Sequence, residues 1–236
     1  MEGVRFRKSI AIPGIILAIS ALFLRDYKVV KLKDEAVLSK QYFKDWGKIF
    51  RIPSFWLISA TYAFFFFMVY ALMTWLPSLL IRSYGMNIQQ AGLIFGLITI
   101  TVVFGPLGGF LGDKWQKRNK NGRPYFIAVT AFLTIVLVFI ALLNLGTTPS
   151  VFLVLYTASS VVLALNMPVG LTIIQDTTPP GMRATATGMV TLINMVGATA
   201  GIFYAGAISD KLGGGAIGLQ WGLIYTLPIA AMAVIS

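Results

Sequence analysis

The stretch GGFLGDKWQKRNKNGRP, residues 108 to 124, sets one acid, Asp113, beside five of the chain's 19 Lys and Arg residues. A carboxylate next to Lys114, Lys117 and Arg118 can accept hydrogen bonds from the free N–H groups of a neighbouring helix start, or pair with an arginine. That chemistry either latches two elements together or belongs to a charge cluster beside the membrane that only sets topology; neither transforms a substrate. Inside the long apolar runs the polar side chains are neutral: Tyr70, Thr99, Thr101, Thr157, Ser160, Asn166, Thr191 and Asn194. Groups of this kind can hydrogen-bond a solute or a neighbouring helix but cannot carry charge. Asn194 is the foremost candidate for solute contact, because a bare amide near the middle of an apolar run needs a partner. An interhelical hydrogen bond would satisfy it equally well. All eight acids lie outside the interiors of the runs, so no ionisable carboxylate is expected at mid-depth in this chain. With no Cys and no His, there is no thiol nucleophile, imidazole relay or usual zinc ligand set. Neither enzymatic activity nor a cofactor or metal is expected.

The elements that position these residues follow from composition. A chain 57% hydrophobic and 11% charged, with mean hydropathy +0.82, lacks the polar surface of a soluble domain and reads as an integral membrane protein. The net charge of +11 lies between apolar runs rather than on one face, which argues against a nucleic-acid partner and leaves the lipid bilayer as the environment. Seven runs approach or exceed the length of a membrane helix: residues 9–24, 52–81, 88–112, 125–145, 149–175, 185–209 and 217–235. Runs such as FIAVTAFLTIVLVFIALL are apolar on every face, whereas barrel strands would alternate. The first run is short and carries Pro13 and Gly14; its leading MEGVRFRKS also has the character of a signal-peptide start.

Charge sets the orientation. If residues 25–51 face the cytoplasm, that side receives 14 of the 19 basic residues, including those of loop 113–124, and the other side receives Arg5, Arg7, Lys8, Arg82 and Lys211. Within residues 25–51, Leu38, Tyr42, Trp46 and Ile49 share one helical face while Lys40, Lys44 and Lys48 turn away, as expected for a helix lying along the inner membrane surface up to Pro53.

An internal repeat is legible as well. GFLGDK (109–114) and GAISDK (206–211) share a G-x-x-x-D-K skeleton and close the third and sixth runs, which end on opposite sides of the membrane. That is the trace of two inverted three-helix units. Gly197, Gly201 and Ala205 recur four apart, and Gly92, Gly96, Gly105, Gly108 and Gly109 crowd the third run, so both helices can be approached closely. Pro77, Pro106 and Pro168 permit bending.

These segments carry a resemblance. The chain resembles a major facilitator superfamily (MFS) transporter, from the last helix of its first half through its second half. GVRFRKSIAIPG is similar to the family's sixth-helix start, with Val4 in place of the usual Trp. GGFLGDKWQKR is similar to its loop motif G-x-x-x-D-R/K-x-G-x-R/K-R/K, with Gln116 in place of Gly. Two longer segments, residues 53–92 and 177–213, resemble the spinster-like branch in particular.

The resemblance implies an all-α integral membrane fold: an MFS-type six-helix bundle of two inverted three-helix repeats, preceded by one further helix. Residues 1–24 would be the last helix of the N-terminal half, 25–51 a cytoplasmic central loop, and 52–236 a transport domain truncated at its C-terminus. It implies that the second, third, fifth and sixth spans line a cavity. It makes Gly109, Asp113, Lys114, Lys117 and Arg118 a conformational latch engaging the missing N-terminal six-helix half, and lets Arg183, at the start of the sixth span, receive the counterpart acid. The implied function is secondary transport of a lipid-like or amphipathic solute in the cell membrane. A sugar or organic anion as solute, or a non-transporting scaffold or inactive truncated product, are the alternatives.

Overall fold

The computed structural model describes Gly47 and residues 49 to 235, all within one compact unit, Tyr42–Ser236. The run at 9–24 and nearly all of the amphipathic segment lie outside the described residues. Ile49, the last member of its apolar face, is buried in a cluster with Phe55, Ile174, Ala186 and Met189.

The helices are α1 (Pro53–Tyr84), α2 (Ile88–Thr99), α3 (Gly105–Arg118), α4 (Gly122–Leu143), α5 (Pro149–Thr177), α6 (Arg183–Lys211), α7 (Ala216–Ile224) and α8 (Thr226–Ile235). No strand occurs among the described residues. Helices α2 and α3 are two arms of one span and α7 and α8 of another, so the described residues form six spans long and apolar enough to cross a membrane.

Local chemistry explains where these helices begin and end. Pro53 and Pro149 stand at first helical positions, where the missing N–H costs nothing. Helix α1 ends on Gly85, whose φ of 64° few other residues tolerate and whose N–H bonds the Ile81 carbonyl. Helix α2 starts with a capping box: Asn87 accepts from the Gln90 N–H at 2.8 Å, and the Gln90 side chain accepts from the Asn87 N–H at 3.1 Å.

The two arms of the third span are joined by a 3₁₀ segment, Ile100–Phe104, immediately before Pro106. Pro106 has no N–H for the Val102 carbonyl, and Gly105 N–H takes that acceptor instead, tightening the turn. The bend expected at Pro106 is therefore a change of helix type one turn upstream. In the seventh span Pro228 has the same effect: the helix breaks at Tyr225, just before it.

Helix pairing reveals the repeat. Helix α1 packs on α6 and α8, and α5 packs on α3 and α4; α3 also meets α4, as α6 meets α7. Exchanging the first three spans for the last three converts each pairing into another that is present, while α4 and α8 pack on each other behind both units. The exchange reverses direction, since successive spans alternate.

Both interlocking pairs are glycine seams. A Cβ on Gly201 would lie 1.9 Å from the Phe67 carbonyl oxygen, and one on Gly197 2.5 Å from that of Ala63. On the other side, a Cβ on Gly108 would lie 2.0 Å from the Leu165 carbonyl oxygen and one on Gly112 2.8 Å from the Val169 side chain. Gly109, singled out from the motif, is not at the close approach; its Cβ would only touch Pro168 at 4.0 Å. Trp75 fastens the first seam by donating to the Ile202 carbonyl at 3.1 Å.

Candidate functional site

Helices α4 and α8 back the bundle, so α1 and α5 form the centre of the opposite wall, flanked by α6 and by the α2–α3 span. The residues expected to face a solute distribute unevenly over it. Thr99 is exposed, its hydroxyl donating to the Phe95 carbonyl at 2.9 Å. Thr191 is exposed and donates to the Thr187 carbonyl at 2.8 Å. Tyr70 and Thr157 are half-buried, the Tyr70 ring standing 5.7 Å from Phe66. Asn194 is 8% exposed, and its Oδ1 is buried with no hydrogen-bond partner.

Asn166 is placed differently from these. It is 2% exposed and turned to the back of the wall, where Nδ2 donates to Thr130 Oγ1 at 3.1 Å and to the Ile127 carbonyl at 3.3 Å. It joins α5 to α4. Since α5 is apolar on nearly all faces, its rotation could not be read from periodicity.

The α1–α6 seam gives Asn194 a setting. Ala63 lies opposite Gly197 and Phe67 opposite Gly201, so the two helices run parallel and Ser59, one turn before Ala63, lies level with the Asn194 turn. Ser59 Oγ is likewise buried without a partner. Two unpaired oxygens at one level of an interhelical seam are costly unless something binds them.

A recess of about 130 Å³ opens between α1, the broken third span and α5, with Met73, Thr99, Val102 and Met167 exposed at its mouth. It reaches Thr134 and Val138 of the backing helix α4.

At one end of the bundle lies an ionic cluster that the sequence only half disclosed. Arg123, in the first turn of α4, donates through Nη2 to Asp113 of α3 at 2.7 Å and through Nε to the same oxygen at 3.2 Å. Its Nη1 pairs with Asp176 near the end of α5. One guanidinium thus ties the ends of three helices. Lys114, Lys117 and Arg118, expected to surround Asp113, are exposed and form no ion pair among the described residues.

Gln116, in the place of the expected glycine, closes the turn with its amide: Oε1 accepts from the Arg123 N–H at 3.0 Å and Nε2 donates to the Lys120 carbonyl at 2.8 Å. The tight approach falls at Gly122, where a Cβ would lie 2.3 Å from the Trp115 carbonyl. Arg183 opens α6 and donates to the Thr178 carbonyl at 3.4 Å; no acid meets it among the described residues. At the other end, Arg82 donates to the Gly214 carbonyl at 2.7 Å. No group of His, Cys, Asp or Glu that could hold a metal occurs among the described residues.

Fold and site together define a multi-pass, all-helical integral membrane protein built of two interlocked three-helix units. The family model described as Major Facilitator Superfamily matches residues 4–201, and the chain belongs to that superfamily. A curated relative, an MFS-type efflux pump of Mycolicibacterium smegmatis, is 29% identical over 195 residues, covering 80% of this chain and 44% of its own length. Among solved structures, a bacterial homolog of the human lysosomal transporter Spinster matches in its inward-facing, unoccupied form with TM-score 0.71 and 20% identity, over 94% of this chain and 55% of that one. Its occupied form matches with TM-score 0.64 and 19% identity, over 80% and 49%. The chain therefore spans about half the length of the proteins it resembles.

Proposed function

We propose that this chain supplies the second six-helix half of a secondary transporter that moves an amphipathic, lipid-like solute by alternating access against a first half not contained in it. The observation that carries this reading is the wall of α1, α5 and their flanking spans, backed by α4 and α8 and devoid of charged side chains between the helix ends. The efflux function named for the mycobacterial relative and the transporter named for the structural neighbour support it. A sugar is less favoured, because Thr99, Ser160 and Thr191 spend their hydroxyl donors on carbonyls of their own helices. An organic anion would need its cation from the other half.

In liposomes containing the full-length transporter, a panel of lipid-like amphiphiles should be taken up and panels of sugars and organic acids should not. Uptake of sugars alone would overturn the substrate class, and uptake of nothing by correctly inserted protein would favour a scaffold. Within the active preparation Asn194→Ala should weaken apparent solute affinity by about 5- to 10-fold, the worth of about one buried hydrogen bond, without altering which side the cavity opens to. An unchanged affinity would return Asn194 to helix packing with Ser59.

We further propose that residues 25–51 and loop 113–124 face the cytoplasm of a cell membrane. The chain has no cysteine, so single-Cys labelling is clean. Cysteines at Lys40 and Lys120 should be protected from an impermeant outside reagent and those at Asn87 and Thr148 labelled; the reverse pattern would invert the orientation.

A further inference from the structure

The recess between α1, the broken third span and α5 sits near the middle of each helix, where a bilayer is driest. Its lining contains hydroxyls, yet it is chemically apolar. Thr99, Thr101, Thr134, Ser159 and Ser160 each donate to a carbonyl of their own helical span, at 2.6 to 3.0 Å. Their donors are thus spent, and no charged residue lines the recess. A sugar would lose its hydration there with no hydroxyl donor beyond the Tyr156 phenol to replace it.

What remains is a narrow apolar slot of about 130 Å³ with three methionines in its lining, Met68, Met73 and Met167. Apolar cavities of about 150 Å³ bind benzene-sized guests and stay dry when empty. Methionine is flexible and polarizable, so its side chains adapt to a guest with many conformers rather than one fixed shape. The mouth opens on the same wall as the exposed Thr99, and the slot runs inward to α4 at Thr134 and Val138. The 3₁₀ segment carries Thr101 and Val102 into the lining, so the helix break helps shape the slot.

We infer that this recess is a binding subsite for the end of the alkyl chain of an amphiphilic solute, whose polar head and remaining chain stay outside the mouth. The assignment rests on the transport reading above and adds where the apolar end of the solute goes. The same chain chemistry could arrive from a phospholipid of the bilayer, and the test separates the two sources.

The protein in nanodiscs is irradiated with a dodecyl-chain, neutral-headed amphiphile bearing a diazirine at the chain end, and labelled residues are mapped by mass spectrometry. A parallel sample carries the diazirine on a phospholipid acyl chain. The soluble amphiphile should label Met68, Met73 or Met167 saturably and be displaced by its unlabelled analogue. The phospholipid should label outward residues such as Val196 and Phe203, which are 72% and 73% exposed.

Ser160→Phe, which fills the slot, should cut the saturable labelling at least fivefold, as should Thr99→Trp at the exposed mouth if the first variant fails to fold. Labelling of the methionines no denser than that of Val196 and Phe203, or labelling undiminished in both variants, would overturn the site. So would phospholipid labelling there that the soluble amphiphile cannot displace. Because the readout is binding, amphiphile transport without labelling would sink this site alone, and saturable labelling without transport would sink the transport reading alone.

Discussion

Leucine in place of Gly201 or Gly108 should abolish recovery of folded, monodisperse protein, and even Gly201→Ala and Gly108→Ala should lower the thermal midpoint sharply. The first atom of any side chain would fall 1.9 Å from the Phe67 carbonyl oxygen in one case and 2.0 Å from that of Leu165 in the other. Neither obstacle is a side chain that can swing aside. Two helices must separate, and each seam then loses close contact along its whole length. Overpacking of this kind costs about 1 to 3 kcal/mol even where neighbours can adjust, so about 3 kcal/mol is expected for alanine here. Gly92 and Gly96 make the control: they lie in a helix of the same span with nothing within 4 Å of their Cβ positions. Alanine there should leave the midpoint unchanged or raise it, helix propensity favouring alanine by about 1 kcal/mol. If all four alanine variants behaved alike, the seams would not be the contacts that hold the two units together.

The second large effect should come from Arg123. Its guanidinium serves Asp113 and Asp176 from different helices, so Arg123→Gln removes both pairs and leaves two carboxylates facing each other across the gap. Either acid replaced by Asn leaves one charged pair intact. Arg123 is 20% exposed but its partners are 57% and 53% exposed, so solvent screens the interaction heavily. A loss of about 1 to 2 kcal/mol is expected for Arg123→Gln, and under about 1 kcal/mol for Asp113→Asn or Asp176→Asn. Arg123→Lys should not rescue fully, since an ammonium cannot present a fork to two acids. Thermal midpoints at low and high salt decide the matter: the gap between Arg123→Gln and the acid variants should narrow as salt screens the repulsion. Acid variants as damaging as Arg123→Gln would mean that the cluster is not shared through one guanidinium.

Much of the fold was open to reading because the spans are apolar on all faces and their ends are marked by Pro, Gly, Asn and charge. Those same uniform faces hid the rotation of each helix. Asn166 and Asn194 look alike in sequence, yet one is spent on Thr130 behind the wall and the other keeps an unpaired oxygen at the α1–α6 seam. That Asp113 could pair with an arginine was legible, but which arginine was not: Arg123 passed for one more loop cation, and its other acid, Asp176, stands 53 residues further along the chain. The motif drew attention to Gly109, while the close approach uses Gly108 and Gly112, because only the neighbouring α5 decides which face of α3 is crowded.

The crossing of the two seams has a consequence for biogenesis. Helix α1 finds its partner in α6 and α3 finds its partner in α5, so neither three-helix unit can be completed from its own sequence. Trp75 and its acceptor Ile202 are 127 residues apart. At a synthesis rate of about 5 to 20 residues per second, α1 waits roughly 6 to 25 s in the bilayer for the helix it is shaped to meet. During that interval the backbone carbonyls of Ala63 and Phe67 and the side-chain N–H of Trp75 face lipid or a surrogate. A membrane-resident chaperone that shields the α1 groove until α6 leaves the translocon would act in this window, and slowing elongation between the two helices would lengthen it.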